Sequence, residues 1–81
     1  MSNITMMVES HLRLKAYPMT VDDASKALTY NPKFIKALYR RAKAHQALGD
    51  VQAGIADMHA FLEVDPTNKS ALALMTELKS A

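Results

Sequence analysis

Four long cations stand close together in the middle of the chain: Lys33, Lys36, Arg40 and Lys43. On a helix, at about 100° per residue, they fall on one side, with Ala37, Ala44 and Ala47 among them. Leu38, Ala42 and His45 fall on the other side. Alanines between long cations leave room for a ligand to lie against the helix. A carboxylate in that space takes a forked pair of bonds from the Arg40 guanidinium and a point charge from Lys36. Lys33 and Lys43 then act as rim charges that steer an acidic partner. Arg41 lays its stem over the neighbouring stack. The plainer account of such a row is a solvated basic face.

Other candidates for chemistry are weaker. His11, His45 and His59 lack metal-ligand spacing and read as packing or edge residues. Asp22, Asp23 and Asp57 sit where capping and solvation suit them, and nothing forms an acid–base pair with them. The chain has no nucleophile elbow, phosphate loop or HExxH. No catalytic residue, metal or cofactor is therefore expected. Tyr30 and Tyr39 could stack a base, but no basic groove pattern accompanies them. Met58 and Met75 read as core filling rather than as an adaptable binding surface.

Composition narrows the class. With 81 residues the chain is one small domain, and such a domain buries only roughly 60% of its unfolded surface. It has no cysteine, so disulfides and thiolate metal sites are excluded, and a reducing, cytoplasmic compartment is the expectation. Ten basic and eight acidic residues give a net charge of +2, too little to argue for nucleic acid. No apolar run approaches the roughly 20 residues that span a bilayer. Met1–Ser10 lacks a basic start followed by a long apolar run, so no secretory leader is read.

The elements that must position the cations are helical. Ile4, Met7, Val8, His11, Leu12 and Leu14 have helical spacing, and Ser2-Asn3 suits a cap. Pro18 breaks that pattern and opens a second helix with Val21, Ala24, Ala27 and Leu28 on one face. Asn31-Pro32 reads as N-cap and first helical position of a third helix, running to about Leu48. Gly49 is its left-handed C-cap, and Asp50 caps a fourth helix striped by Val51, Ile55, Met58 and Leu62. Thr67–Ala81 forms the last helix, with Leu72, Met75 and Leu78 on one face.

A period underlies this order. Pro32 and Pro66 are 66 − 32 = 34 residues apart. At the same offset His11 matches His45, Leu14 matches Leu48, Asp23 matches Asp57 and Leu28 matches Leu62. A helical hairpin repeated at this period stacks on copies of itself to bury its apolar face. Five helices are expected: a degenerate repeat over 1–32, a complete repeat over 33–66 and a capping helix over 67–81.

On these residues the chain resembles the tetratricopeptide repeat family, through Ala42, the Gly49-Asp50 turn and the LEVDP ending. Gly54 stands for the family's small residue in the second helix, and Phe61 departs from its usual alanine. The resemblance implies an all-α, right-handed α-solenoid of about two hairpins with a C-terminal capping helix. Asn31–Ala44, NPKFIKALYRRAKA, further resembles the last repeat of the Hsp90/Hsp70 co-chaperone subgroup, which includes immunophilin-like proteins. That resemblance implies a groove that holds the acidic C-terminal tail of a chaperone, with Lys36 and Arg40 as carboxylate contacts. It places Met6 where the family has a clamp asparagine, since 40 − 34 = 6. Two further clamp positions would belong to a repeat preceding this chain.

The expected function is thus a protein-interaction module of co-chaperone type, with Lys36, Arg40, Lys33, Lys43 and Met6 at the peptide site. No nucleic acid or membrane partner is expected. The alternative is a repeat scaffold holding another protein or a neighbouring domain, which Met6 favours; its partner would lie on the Val21/Ile55 side. An enzymatic role belongs only to a parent protein, such as an immunophilin with an isomerase domain upstream. Two hairpins fall below the roughly three repeats that such stacks need. Weak stability, self-association through the first helix, or origin in a longer domain follows.

Overall fold

The computed structural model describes the backbone from Ser2 to Ser80 and the side chains from Ala16 to Ser80. Among the described residues there are four helices and no strand: α1 (Ser2–Tyr30), α2 (Ile35–Ala47), α3 (Val51–Val64) and α4 (Lys69–Ser80). Each packs on the next in chain order. The architecture is the expected all-α repeat stack.

The period is visible in the backbone. Phe34 N–H donates to the Asn31 carbonyl at 3.0 Å, and Asn68 N–H donates to the Asp65 carbonyl at 3.3 Å. Both are β-turns with proline second, the position that its fixed φ suits. The helices that follow start at Ile35 and Lys69, again 34 apart. This corrects the sequence reading at both places. Asn31 is a turn residue, not a helix cap, and its side chain accepts from Lys33 N–H at 3.2 Å. The helix starts three residues after each proline. At α4 the cap is Asn68, whose side-chain oxygen accepts from Ala71 N–H at 3.1 Å. Phe34, its counterpart, has no side chain that can do this.

Between α2 and α3 the chain reverses at Gly49, which has φ +81°. Asp50 N–H donates to the His45 carbonyl at 2.8 Å and Gly49 N–H to the Gln46 carbonyl at 3.1 Å. This is the paired closure of a helix end that a left-handed glycine permits. Asp50 holds the N-cap position of α3 but makes no side-chain cap bond.

The beginning of the chain differs from expectation. Residues 2–30 form one helix with Pro18 inside it, not two helices separated at Pro18. The reason lies 34 residues before the Gly49-Asp50 turn. There the chain has Lys15-Ala16, and an L side chain resists the left-handed backbone that the reversal needs. The helix continues, although proline in a helix interior removes one backbone hydrogen bond.

The core is built from Ala24, Leu28, Leu38, Ala42, Met58, Phe61, Ala71, Leu74 and Leu78, with Ala37 and Met75. The buried face of α3 is Gly54, Asp57, Met58 and Phe61. Val51, Ile55 and Leu62, expected at its centre, are half-buried at its edges. A Cβ on Gly54 would stand 3.1 Å from Leu78 Cδ2 and 3.4 Å from the Ala42 carbonyl oxygen. This glycine lets three helices meet. On α4 the inward residues are Ala71, Leu74, Met75 and Leu78, while Leu72 is exposed.

One ion pair crosses this core. Arg41 on α2 donates from Nε to Asp57 Oδ2 at 2.9 Å and from Nη2 to Asp57 Oδ1 at 2.6 Å. Its Nη1 reaches Ser25 Oγ on α1 at 3.1 Å. Asp57 is therefore buried, not solvated as its sequence position suggests. The hydrogen bonds it donates to Asp57 hold the Arg41 guanidinium above its ordinary pKa, against the opposing effect of burial. Removing one partner of a buried fork leaves the other desolvated and unpaired. Arg41→Ala is expected to lower stability by about 3 kcal/mol, read from the urea midpoint at unchanged slope.

Candidate functional site

The cations that the sequence places on one face divide in the structure. Lys36 and Arg40 lie one turn apart on the exposed side of α2, and Lys43 follows on the next turn. Lys33 is not on the helix at all; it sits in the Asn31–Phe34 turn. Ala37 and Ala44 are buried against neighbouring helices, so only part of the expected space beside the cations is open. Met6 lies in the first half of α1, outside the residues whose side chains are described.

Three hollows meet at Arg40. The first, about 310 Å³, lies between α1 and α2. Thr20, Asp23, Ala24 and Ala27 form its α1 wall, and Phe34, Lys36, Ala37 and Arg40 its α2 wall. The second, about 380 Å³, lies on the other flank of α2. Ile35, Tyr39 and Phe61 give it an apolar floor, Lys36 and Arg40 one rim, and Asn68 and Ser70 the other. The third, about 260 Å³, runs along α2 past Tyr17, Thr20, Tyr39, Arg40, Lys43 and Ala44. Lys36 borders two of the hollows and Arg40 all three.

Among the described residues neither Lys36 nor Arg40 has a carboxylate within ion-pair distance. The adjacent Arg41 is the opposite case, fully engaged with Asp57 and Ser25. Helix geometry makes the division: residues 40 and 41 are about 100° apart around the axis, so one points to the groove and the next to the core. The groove thus offers one guanidinium and one ammonium, side by side, to an anionic group. Asp23 on the opposite wall opposes them with one negative charge.

Spacing alone did not reveal Asp23, Thr20 and Phe34 as groove residues. Thr20 and Asp23 border the cations only because α1 packs on α2, and Phe34 borders them from the turn before α2. Tyr39 and Phe61 were missed too. Their rings meet edge to face at a centroid distance of 6.3 Å and an angle of 63°. The signal was present in Phe61, a large ring where the repeat pattern has a small residue. His45 does not face the groove: its ring lies 3.8 Å from both Asp50 and Asp57. Among the described residues no group of side chains has the makings of a metal site, and no helix is long and apolar enough to cross a membrane.

Comparison with known proteins adds independent findings. The chain is 36% identical over 62 residues to serine/threonine-protein phosphatase 5 of Rattus norvegicus, a match covering 76% of this chain and 12% of that protein. It is 42% identical over 66 residues to the Hsp70/Hsp90 co-chaperone CNS1 of Saccharomyces cerevisiae, covering 80% and 17%. Peptidyl-prolyl cis-trans isomerase FKBP4 of Bos taurus is 36% identical over 63 residues, covering 78% and 14%. The matches span less than a fifth of the length of these relatives. No protein-family model matches the chain.

The floor of the second hollow gives a prediction independent of any ligand. Phe61→Leu keeps the site apolar but removes the edge-to-face pair, at a cost of about 1 kcal/mol. The Tyr39 ring protons are expected to shift in the NMR spectrum as the neighbouring ring current is lost. An unmoved Tyr39 signal would show that the two rings do not pack together in solution.

Proposed function

Since the chain is a tetratricopeptide-like repeat protein, we propose that it is a protein-interaction module of co-chaperone type, binding peptides with an acidic C-terminus. The observation that carries the proposal is the placement of Lys36 and Arg40. Both line open hollows and both are free of ion pairs among the described residues. A terminal carboxylate accepts a fork from Arg40, and Lys36 adds charge without demanding geometry. Lys43, at the end of the third hollow, and Lys33, in the turn, raise the local positive potential and speed encounter with an acidic tail. The apolar floor at Ile35, Tyr39 and Phe61 suits an aliphatic side chain beside the acid.

The partner class follows from two supports. The groove chemistry selects acidic, carboxylate-bearing peptides. One relative is named an Hsp70/Hsp90 co-chaperone, so a chaperone tail of that type is the proposed ligand. A cytoplasmic site of action suits a chain without cysteine. The phosphatase and isomerase activities in the other names belong to those proteins, of which this chain matches a small part. The role proposed here is binding, not turnover. Asp23 supports a second reading, a repeat scaffold that holds a partner without gripping a tail, because its charge works against an acid in the first hollow.

Titration of the isotope-labelled chain with a short acidic peptide ending in a free carboxylate tests the proposal. Shifts are expected in the amides of Lys36–Ala44. Arg40→Ala is expected to weaken binding about tenfold, the loss of a charge-assisted bond. Affinity is expected to fall as salt rises, since the groove is open to solvent. Amidation of the peptide terminus is expected to weaken binding as well. Shifts that survive both amidation and Lys36→Ala would rule out carboxylate recognition, and a partner footprint centred on Val21 and Ile55 would favour the scaffold.

A further inference from the structure

The hollow between α1 and α2 has a counterpart elsewhere in the chain, and there it is full. The α1 wall is Thr20, Asp23, Ala24 and Ala27. Thirty-four residues later stand Gly54, Asp57, Met58 and Phe61, the four buried residues of α3. On the α2 wall, Ala37 and Arg40 correspond to Ala71 and Leu74, both buried in α4. The space bounded by α3 and α4 is closed because α2 lies in it. The equivalent space bounded by α1 and α2 is the open hollow. Its matching helix is residues 1–13, since 35 − 34 = 1 and 47 − 34 = 13. In this chain that segment does not turn back into the slot, because α1 continues as one helix from Ser2 to Tyr30.

We infer that residues 2–13 of a second copy fill this slot, so that two chains exchange their first halves as a swapped dimer. Exchange of an identical element is a low-cost route to a dimer, because each contact is one that the fold already uses. Charge fits the assignment. His11 occupies the repeat position of His45, whose ring lies 3.8 Å from Asp57, so His11 of the incoming segment comes beside Asp23. Glu9 occupies the position of Lys43 and enters on the side where the third hollow, bordered by Arg40 and Lys43, shares Thr20 and Arg40 with the slot. Apolar register fits as well: Ile4 takes the place of Leu38, and Val8 that of Ala42. Met6 of the second copy takes the place of Arg40 and so borders the peptide groove. The inference goes beyond peptide recognition and does not depend on it.

The absence of cysteine makes a direct test available. Ala42 and Gly54 touch in the closed hairpin, and their counterparts are Val8 and Thr20. Val8→Cys and Thr20→Cys are made as separate single variants, mixed, unfolded, refolded together and oxidised. A disulfide between one copy of each is the expected product, since no single chain carries both thiols. Sedimentation of the unmodified chain is expected to show a monomer–dimer equilibrium across the micromolar range. A second variant, Lys15→Gly with Ala16→Asp, supplies the turn that closes the α2–α3 hairpin. It is expected to fold its own first helix back and shift the chain to monomer. An unmodified chain that stays monomeric throughout, or an intrachain disulfide as the main product of the Val8→Cys/Thr20→Cys double variant, overturns the inference. So does a mixture of the single variants that gives no mixed disulfide.

Discussion

The fork between Arg41 and Asp57 is the constraint on which the arrangement of helices rests. It joins α2 to α3 through two bonds and α2 to α1 through Ser25. Such a pair contributes little net stability over an apolar core of the same volume, because both charges leave water. Its effect is on registry. A guanidinium with a fixed fork geometry accepts one placement of the carboxylate. Sliding α3 along α2 by a turn would strand Asp57 in the core, at a cost far above that of shifting an alanine. Ala42, Gly54 and Leu78 pack closely in the register that this pair fits.

The period was the most legible feature of the sequence, and the reason is local. Proline in a β-turn and a left-handed glycine after a helix are chemical requirements of single positions. They show without knowledge of any partner. The starting points of α2 and α4 were less legible. Proline's fixed φ satisfies both the second residue of a β-turn and the first residue of a helix, so Asn31-Pro32 allowed either. The next bond decides it: Phe34 N–H donates to the Asn31 carbonyl and closes a β-turn, a choice that the Asn-Pro pair alone does not fix. The inward turn of Asp57 was hidden for another reason. A charge beside an apolar stripe reads as solvated until its counter-charge is found, and Arg41 stands 16 residues away on another helix. Gly54 held the clue: a glycine within a helix marks a close approach, and Asp57 lies one turn further along the same face.

The site was legible in half. Lys36 and Arg40 were readable because a spacing of four on a helix fixes their common face whatever surrounds it. What stands opposite them was not. The α1 wall, with Asp23, depends on how α1 lies along α2, and that depends on the absence of a turn at Lys15-Ala16. The separation of Lys33 from the row has the same cause as the late helix start, because it falls in the turn.

The two halves of the chain differ less in their apolar pattern than in two specific residues. Gly49 is matched by Lys15, and Arg41 by Met7. Without the glycine the first half lacks its reversal, and Met7 cannot offer a carboxylate the fork that Arg41 gives Asp57. Asp23 is accordingly exposed, where Asp57 is buried. Neither difference touches the described packing face of α1 at Ala24 and Leu28, which is the condition for an open slot lined by core-type residues. The groove that faces the cations is therefore a consequence of the unfinished hairpin. Its negative wall is Asp23, which has no ion pair among the described residues and stands in the same hollow as Lys36 and Arg40. A segment filling this slot would cover Asp23 and the sides of Lys36 and Arg40 turned toward it, and would leave open the second hollow, with its floor of Ile35, Tyr39 and Phe61, on the other flank of α2.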